Sequence, residues 1–391
     1  MLRNFDVLFH ADFWAEDAGV FFQQALSSPG WSNLFEPYAG YLHFIPRLLA
    51  EVARALPLLW VPTFLNGSAL LFQSLGAALM LSPRHAFFRE RSSQKVAALL
   101  FVLLPASEEV MGSITNINWF VPFLLTPLLF APPCRKNFHR AVDWVGFIAL
   151  ALTGPWSLFF FPLYVLALWR WREWLDRGKL AVLGLAFAAQ CAFLLQSSRI
   201  HEGFFPCSIS GIFRALGQKT FFFTLFGQAG ADRFPWDAPA LRSAAFLAGL
   251  GLLLLLFLSA RRDGKSPVTF LISVFALSFL SLAATSNAAC TLNVQNGNRY
   301  FYLGVFLTML QLAQHFLRSP PGLRFALSAG LLALSALCAV PLDFANPRQS
   351  RYPMPSWPER LESLYDPAAP GTVVTLPIRP NGAWSLRLVK P

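Results

Sequence analysis

The sequence predicts an all-α polytopic membrane protein with about ten transmembrane helices, amphipathic helices on its outer face and a small C-terminal tail with short strands. Three observations lead there. Apolar runs of bilayer-crossing length recur along the whole chain. Charged residues are 13% of the 391 and hydrophobic ones 55%, whereas a soluble domain carries about 25% charged residues. The basic residues gather in alternating short loops, as topology signals do. Charge this scarce cannot clothe a surface that faces water on all sides, so a soluble enzyme is excluded.

Spans are expected at 57–81, 95–111, 119–133, 142–154, 156–170, 179–197, 240–259, 267–285, 300–317 and 323–340. The runs 142–154 and 156–170 meet at Gly154-Pro155, a tight re-entry with almost no loop. One set of loops is basic: Arg84, Arg89, Arg91 and Lys95; Arg135, Lys136 and Arg140; Arg170, Arg172, Arg177 and Lys179; Arg261, Arg262 and Lys265; Arg318 and Arg324. In the opposite set, 105–118 has no Lys or Arg and 286–299 has only Arg299. The positive-inside rule makes the basic set cytoplasmic. The chain then divides into an extracytoplasmic first loop (1–56), a transmembrane bundle (57–340) and an extracytoplasmic tail (341–391). This topology puts the N-terminus outside with no preceding span, so a first helix is expected to be missing. Residues 212–226 are expected to lie in the interface as an amphipathic helix. Segments 372–378 and 384–389 read as two strands around Arg379-Pro380-Asn381-Gly382.

The net charge of +11 does not point to nucleic acid, because it is spread through loops between apolar runs. Cys134, Cys191, Cys207, Cys290 and Cys338 form no CxxC or Cys/His cluster, and no metal site is expected. Cys207 and Cys290 share the outer side and could pair, but free thiols are the expected state. No Walker loop, HExxH or GxSxG occurs.

Four features carry candidate chemistry. Glu16 and Asp17 are adjacent carboxylates between Trp14 and Phe21. Low dielectric and aromatic neighbours raise a carboxyl pKa and make a better base; the plainer reading is acidic residues at a helix N-terminus. His43, Arg47, Glu51 and Arg54 share one helix face that could hold a phosphate or hydroxyl, or simply meet water. Glu108, with Asn116, Asn118 and Trp119, makes an acidic, amide-rich outer loop. Amides and an indole suit sugar hydroxyls, although Ser107 and Asn118 could equally be helix caps. Arg299 and Tyr300 open a span at the outer side, placed to clamp an anionic headgroup or to act as an interfacial anchor.

Together, Trp14 to Phe21, Gly40 to Arg47, Thr115 to Trp119 and Asn298 to Phe301 resemble the outer-loop motifs of the GT-C superfamily of membrane glycosyltransferases. The likeness is closest to bacterial members that use a polyprenyl-phosphate-linked sugar. It implies a multi-pass protein of the bacterial inner (plasma) membrane with its active site on the periplasmic face. It implies inverting transfer to an envelope acceptor, a glycan or a lipid. Asp17, or else Glu16, would be the base. Arg299, Tyr300, Arg47 and His43 would hold the donor phosphate, and Asn116, Asn118, Trp119 and Glu108 the acceptor. No cofactor is implied, and a divalent cation has no ligand motif behind it. Two rivals stand beside this reading. A transporter or flippase of lipid-linked saccharide would need ionisable residues within the spans, which are few; a non-catalytic assembly protein would need none of these residues.

Overall fold

The structure is a computed structural model, and it describes residues 6–28, 30–84, 90–105, 110–170, 176–197, 207–263, 266–285, 297–344, 353–362, 364, 371–380 and 382–389. The fold is largely helical. Among the described residues, four helices are long and apolar enough to cross a membrane: Leu58–Leu81, Arg177–Gln196, Pro239–Arg261 and Leu323–Asp343. They expose apolar side chains outward, among them Leu185, Leu195, Leu247 and Leu337. These features are consistent with a multi-pass membrane protein and correct the expectation of about ten transmembrane helices.

The other apolar runs are shorter helices. Those at 119–133, 156–170 and 267–285 correspond to Thr115–Phe130, Ser157–Trp169 and Pro267–Ala283. The run at 95–111 yields Arg91–Val102, 12 residues, or about 18 Å of helix against a hydrocarbon core of about 30 Å. The run at 142–154 falls in Asn137–Ala151, 15 residues. The run at 300–317 forms Tyr302–Arg318, 17 residues, buried without interruption from Tyr302 to Gln314. A helix covered on every side is apolar because it is core, and hydropathy does not separate that case from lipid exposure. Prolines and glycines close several of these helices early: Pro132-Pro133 follows one and Gly154-Pro155 another.

An aromatic core fills the centre. Phe123 meets Phe101 at 5.0 Å and Phe306 at 5.1 Å, and Phe120 meets Tyr302 at 5.1 Å between ring centroids. The stretch 212–226 is not one surface helix but is half-buried or buried throughout. It belongs to consecutive helical segments Ile209–Leu216, Gly217–Phe222 and Phe223–Ala231, packed on Pro239–Asp263 and Tyr302–Arg318. Gln218, Lys219 and Thr220 are fully buried there. Gly217 and Gly249 make this packing possible: a Cβ on Gly217 would lie 1.8 Å from the Ala245 carbonyl oxygen, and one on Gly249 2.1 Å from that of Phe213. Small residues let the two backbones touch.

The C-terminal strands form as expected, Val373–Ile378 pairing antiparallel with Trp384–Val389. This hairpin sits on the N-terminal segment. The Ala15 amide donates to the Arg379 carbonyl at 2.6 Å, and the Arg387 amide to Gln23 Oε1 at 2.7 Å. A buried ion triad locks the union: Asp12 accepts from Arg379 Nε at 2.7 Å and from Arg360 Nη2. Phe13 stacks edge-on against Trp357 at 4.7 Å. Cys207 is disulfide-bonded, contrary to the expected free thiol, and its partner lies outside the described residues. Cys134, Cys191 and Cys338 are free.

We predict opposite effects for two glycines on one helix. A Cβ on Gly251 meets nothing within 4 Å, so Gly251→Ala should be neutral or stabilise by up to about 1 kcal/mol through helix propensity. Gly249→Ala should cost about 1–3 kcal/mol despite the same propensity gain, because backbone must move. Thermal unfolding in detergent reads both, and equal shifts would contradict the packing described.

Candidate functional site

The best-defined polar assembly lies where the N-terminal segment, residues 110–120 and the start of Tyr302–Arg318 meet. Two polar residues on the buried face of Val61–Leu81 anchor it. Asn66 Nδ2 donates to the Val7 and Asp12 carbonyls, both at 3.1 Å, and Gln73 Nε2 donates to the Val110 carbonyl at 3.0 Å. The helix therefore holds the two segments beside one another.

Asp17 joins them. Its Oδ1 accepts from Ser113 Oγ (3.0 Å), the Thr115 amide (2.9 Å) and Thr115 Oγ1 (2.6 Å), and its Oδ2 from the Ile114 amide (3.1 Å). Asp17 is 1% exposed. Burial pushes its carboxyl up from 3.8 to about 6, against the opposing pull of the Thr115 and Ser113 hydrogen bonds; the neighbouring Glu16 adds a smaller upward push. Glu16 is half-buried. It follows Ala15, whose φ of +36° is left-handed backbone that costs a non-glycine residue about 1–3 kcal/mol. The Ala15 amide bond to Arg379 and the Asp17 amide bond to the Trp14 carbonyl hold that turn.

His43 and Arg47 approach from the other side. The short strands Pro37–Tyr38 and Tyr41–Leu42 pair across Ala39 and Gly40, both at positive φ, the two-residue turn that suits a hairpin's twist. Gln190 fixes this hairpin by accepting from the Leu42 amide (2.9 Å) and donating to the Gly154 carbonyl (3.0 Å). His43 is 1% exposed and packed among rings, 4.7 Å from Tyr41, 5.2 Å from Phe21 and 5.7 Å from Tyr38.

Arg47, on the helix Phe44–Ala53, is also 1% exposed. The part of the polar face that carries His43 and Arg47 therefore turns into the protein, while Arg54 at its end stays exposed. Arg47 Nη1 donates to Gln24 Oε1 (2.9 Å) and Asn33 Oδ1 (3.1 Å), and its Cζ lies 5.3 Å from the Phe21 ring centroid. Asn33 in turn donates to Glu51 at 2.9 Å. Arg47 Nε and Nη2 have no hydrogen-bond partner among the described residues. Burial lowers the Arg47 pKa, while Glu36 and Glu51 oppose that shift.

The third wall is Thr115–Phe120, a 3₁₀ turn. Asn116 and Asn118 are both 2% exposed. Trp156 Nε1 donates to the Asn118 carbonyl, while Asn118 Oδ1 has no partner among the described residues. Asn118 does not cap the following helix, whose first turn has no side-chain cap. Trp119 meets Tyr300 edge-on at 4.9 Å, and Arg299 Cζ lies 5.4 Å from the Tyr300 ring centroid. Glu108, with Ser107, lies outside the described residues.

Contacts thus link Asp17 to Thr115, residues 115–120 to Asn298–Phe301, and Phe21 to His43 and Arg47. Sequence reasoning missed three contributors. Lys219 is fully buried with Nζ 5.5 Å from the Phe301 ring centroid; a single Lys inside a Phe-rich stretch was its signal. Gln24 and Asn33, the acceptors for Arg47, carried no local signal. The Asp12–Arg360–Arg379 triad joins residues more than 340 apart in the chain, beyond the reach of any spacing rule. Among the described residues no group of three His, Cys, Asp or Glu side chains is arranged to hold a metal ion. Comparison with protein families, with characterised proteins and with solved structures finds no match to this chain.

The pH dependence of Asp17 follows in sign. A carboxyl raised to about 6 from 3.8 favours its neutral form in the folded chain. Its stabilising contribution is complete below about 3.8 and is lost as pH rises through about 6. We predict that the stability of wild type minus that of Asp17→Asn falls by up to about 3 kcal/mol between pH 4 and 7, from about two pKa units. Unfolding midpoints across that range measure it; a constant difference would refute the assignment.

Proposed function

We propose that this chain is a membrane glycosyltransferase moving a sugar from a polyprenyl-phosphate-linked donor to an extracytoplasmic glycan or lipid acceptor. The observation that carries the reading is the meeting of an acidic pair with a buried, partly unpartnered arginine and an amide-and-indole wall. Each part fits one need of the reaction. A guanidinium out of water binds a phosphate more strongly than an exposed one, and Arg47 keeps Nε and Nη2 open. Asn116, Asn118 and Trp119 offer the donors, acceptors and ring face that a sugar uses.

In this reading Glu16 takes the proton of the acceptor hydroxyl. The oxygen attacks the anomeric carbon, the bond from that carbon to the phosphate oxygen breaks, and the polyprenyl phosphate leaves with the electron pair. Attack opposite the leaving group inverts the anomeric centre. Asp17 spends four hydrogen bonds on residues 113–115, so it acts as a positioning residue that keeps the acceptor wall against Glu16. Arg47, with His43 on the preceding turn, receives the phosphate and stabilises the charge that develops on it, while Arg299 and Tyr300 stand beside Trp119 to hold the donor. The raised pKa of Asp17 also equips it to share a proton with Glu16.

The test uses full-length protein in proteoliposomes with a panel of radiolabelled polyprenyl-phosphate sugars and an envelope extract as acceptor. Product is expected with wild type. Glu16→Gln should lose roughly 10²–10⁴-fold, the usual share of general-base catalysis. Transfer unchanged in the Glu16→Gln, Asp17→Asn double variant would remove the proposed base. Movement of labelled lipid across the bilayer with no product would favour the transporter reading.

A further inference from the structure

The helix Phe44–Ala53 turns an apolar stripe away from the protein. Ile45, Pro46, Arg47, Ala50 and Ala53 are buried. Phe44, Leu48 and Val52, spaced four apart on one side, are half-buried or exposed, Val52 to 48%. The stripe continues beyond the helix. Phe35, itself exposed, packs on Phe44 with ring centroids 5.9 Å apart, and Trp31 of the same 3₁₀ turn is 76% exposed. Past the helix, residues 54–57 lead to Leu58–Trp60, where Leu59 and Trp60 are exposed.

Both ends of this helix are fixed at one level of the bundle. At its start the Phe44 amide donates to the Leu152 carbonyl (3.4 Å) and the Ile45 amide to Thr153 Oγ1 (3.1 Å), just past the end of Asn137–Ala151. Its other end joins the start of Leu58–Leu81, a helix able to cross a membrane. Phe44–Ala53 therefore runs across the ends of two bundle helices. Its 10 residues make about 15 Å, too short to cross a bilayer. From Trp60 to Leu81 the chain rises about 32 Å, close to the hydrocarbon thickness of about 30 Å. At the far end of that span Arg84 pairs with Asp143 of Asn137–Ala151, whose first turn exposes Phe138. Trp169, in the last turn of Ser157–Arg170, is exposed as well. Exposed rings thus stand at both ends of the span, as in the two aromatic belts of a membrane protein.

We propose that the apolar stripe of Phe44–Ala53, with Trp31, Phe35 and Trp60, rests in the headgroup layer of the bilayer. The stripe meets the upper acyl chains, and the indoles sit among the headgroups. Lipid is the occupant because the stripe leads through Leu59 and Trp60 into the lipid-facing side of the span, where Leu71 and Leu75 are exposed. Arg47 lies on the inward face of the same helix, so this contact holds the candidate site at headgroup depth. The inference concerns how the chain sits in the membrane and does not rest on the glycosyl-transfer reading.

The test is nitroxide accessibility in the full-length protein in proteoliposomes. Cys134→Ser, Cys191→Ser and Cys338→Ser remove the free thiols among the described residues, and a label is placed at Val52→Cys or Phe35→Cys. Molecular oxygen concentrates in the bilayer, and a nickel chelate stays in water. Oxygen collisions should outnumber chelate collisions at both positions, as at Leu71→Cys on the span. The order should reverse at Thr375→Cys, on the exposed face of the C-terminal hairpin. Chelate collisions in the majority at positions 52 and 35 would place the stripe in water and overturn the proposal. Exclusion of both reagents would show a protein partner or a second copy on the stripe and overturn it equally. An unlabelled readout stands beside this one: brominated lipid should quench tryptophan fluorescence less in Trp31→Phe with Trp60→Phe than in wild type. Unchanged quenching would contradict the placement of the indoles.

Discussion

A single buried carboxylate organises the candidate site of this protein. Asp17 gathers the amides and hydroxyls of residues 113–115 around it, and without that acceptor four donors would be left in a water-poor interior. An unsatisfied buried donor costs about 1–3 kcal/mol, so the carboxylate and the loop each require the other. Because Thr115 begins the 3₁₀ turn that carries Asn116, Asn118 and Trp119, the same bond fixes the wall that faces Tyr300. The hairpin over residues 14–23 and the Asp12–Arg360–Arg379 triad then press the N-terminal segment onto the bundle from the other side.

The apolar body makes this precision possible. Its long helices present leucines outward, while Asn66, Gln73 and Gln190 point polar groups inward and use each of them on the backbone of a loop. The N-terminal segment and residues 110–120 are therefore tied by side chains from helices as well as by contacts between themselves. The opposite end follows the same logic with cations. Lys179 Nζ donates to the carbonyls of Leu129 and Ala131, and Arg84 pairs with Asp143 while donating to the Pro132 carbonyl. Basic side chains at that end thus answer the bare carbonyls where Val121–Phe130 stops, as the C-terminal end of a helix dipole favours.

Much of the site was legible in the sequence because its residues violate their surroundings. Glu16, Asp17, His43 and Arg47 are polar within aromatic stretches, and Trp119 and Tyr300 stand just before helix starts. The C-terminal hairpin was legible from its alternation and its Pro-Asn-Gly turn. The number of spans was not, since the run at 95–111 yields only the short helix Arg91–Val102, which opens on polar residues, and Tyr302–Arg318 is apolar but wrapped in protein. The burial of Lys219 and of residues 212–226 also escaped, because the Gly217–Gly249 contact that draws that segment inward joins positions 32 apart and leaves no periodic trace. Partners of that kind, like Arg360 and Arg379 on Asp12, exist only once the chain has folded.

The central claim is that Asp17 and Thr115 form one energetic unit holding the site together. A double-mutant cycle on unfolding free energy in detergent, using Asp17→Ala, Thr115→Ala and the double variant, measures it directly. A coupling of about 1.5–3 kcal/mol is predicted for a charged or proton-sharing buried pair. Additive effects, with coupling near zero, would contradict the account.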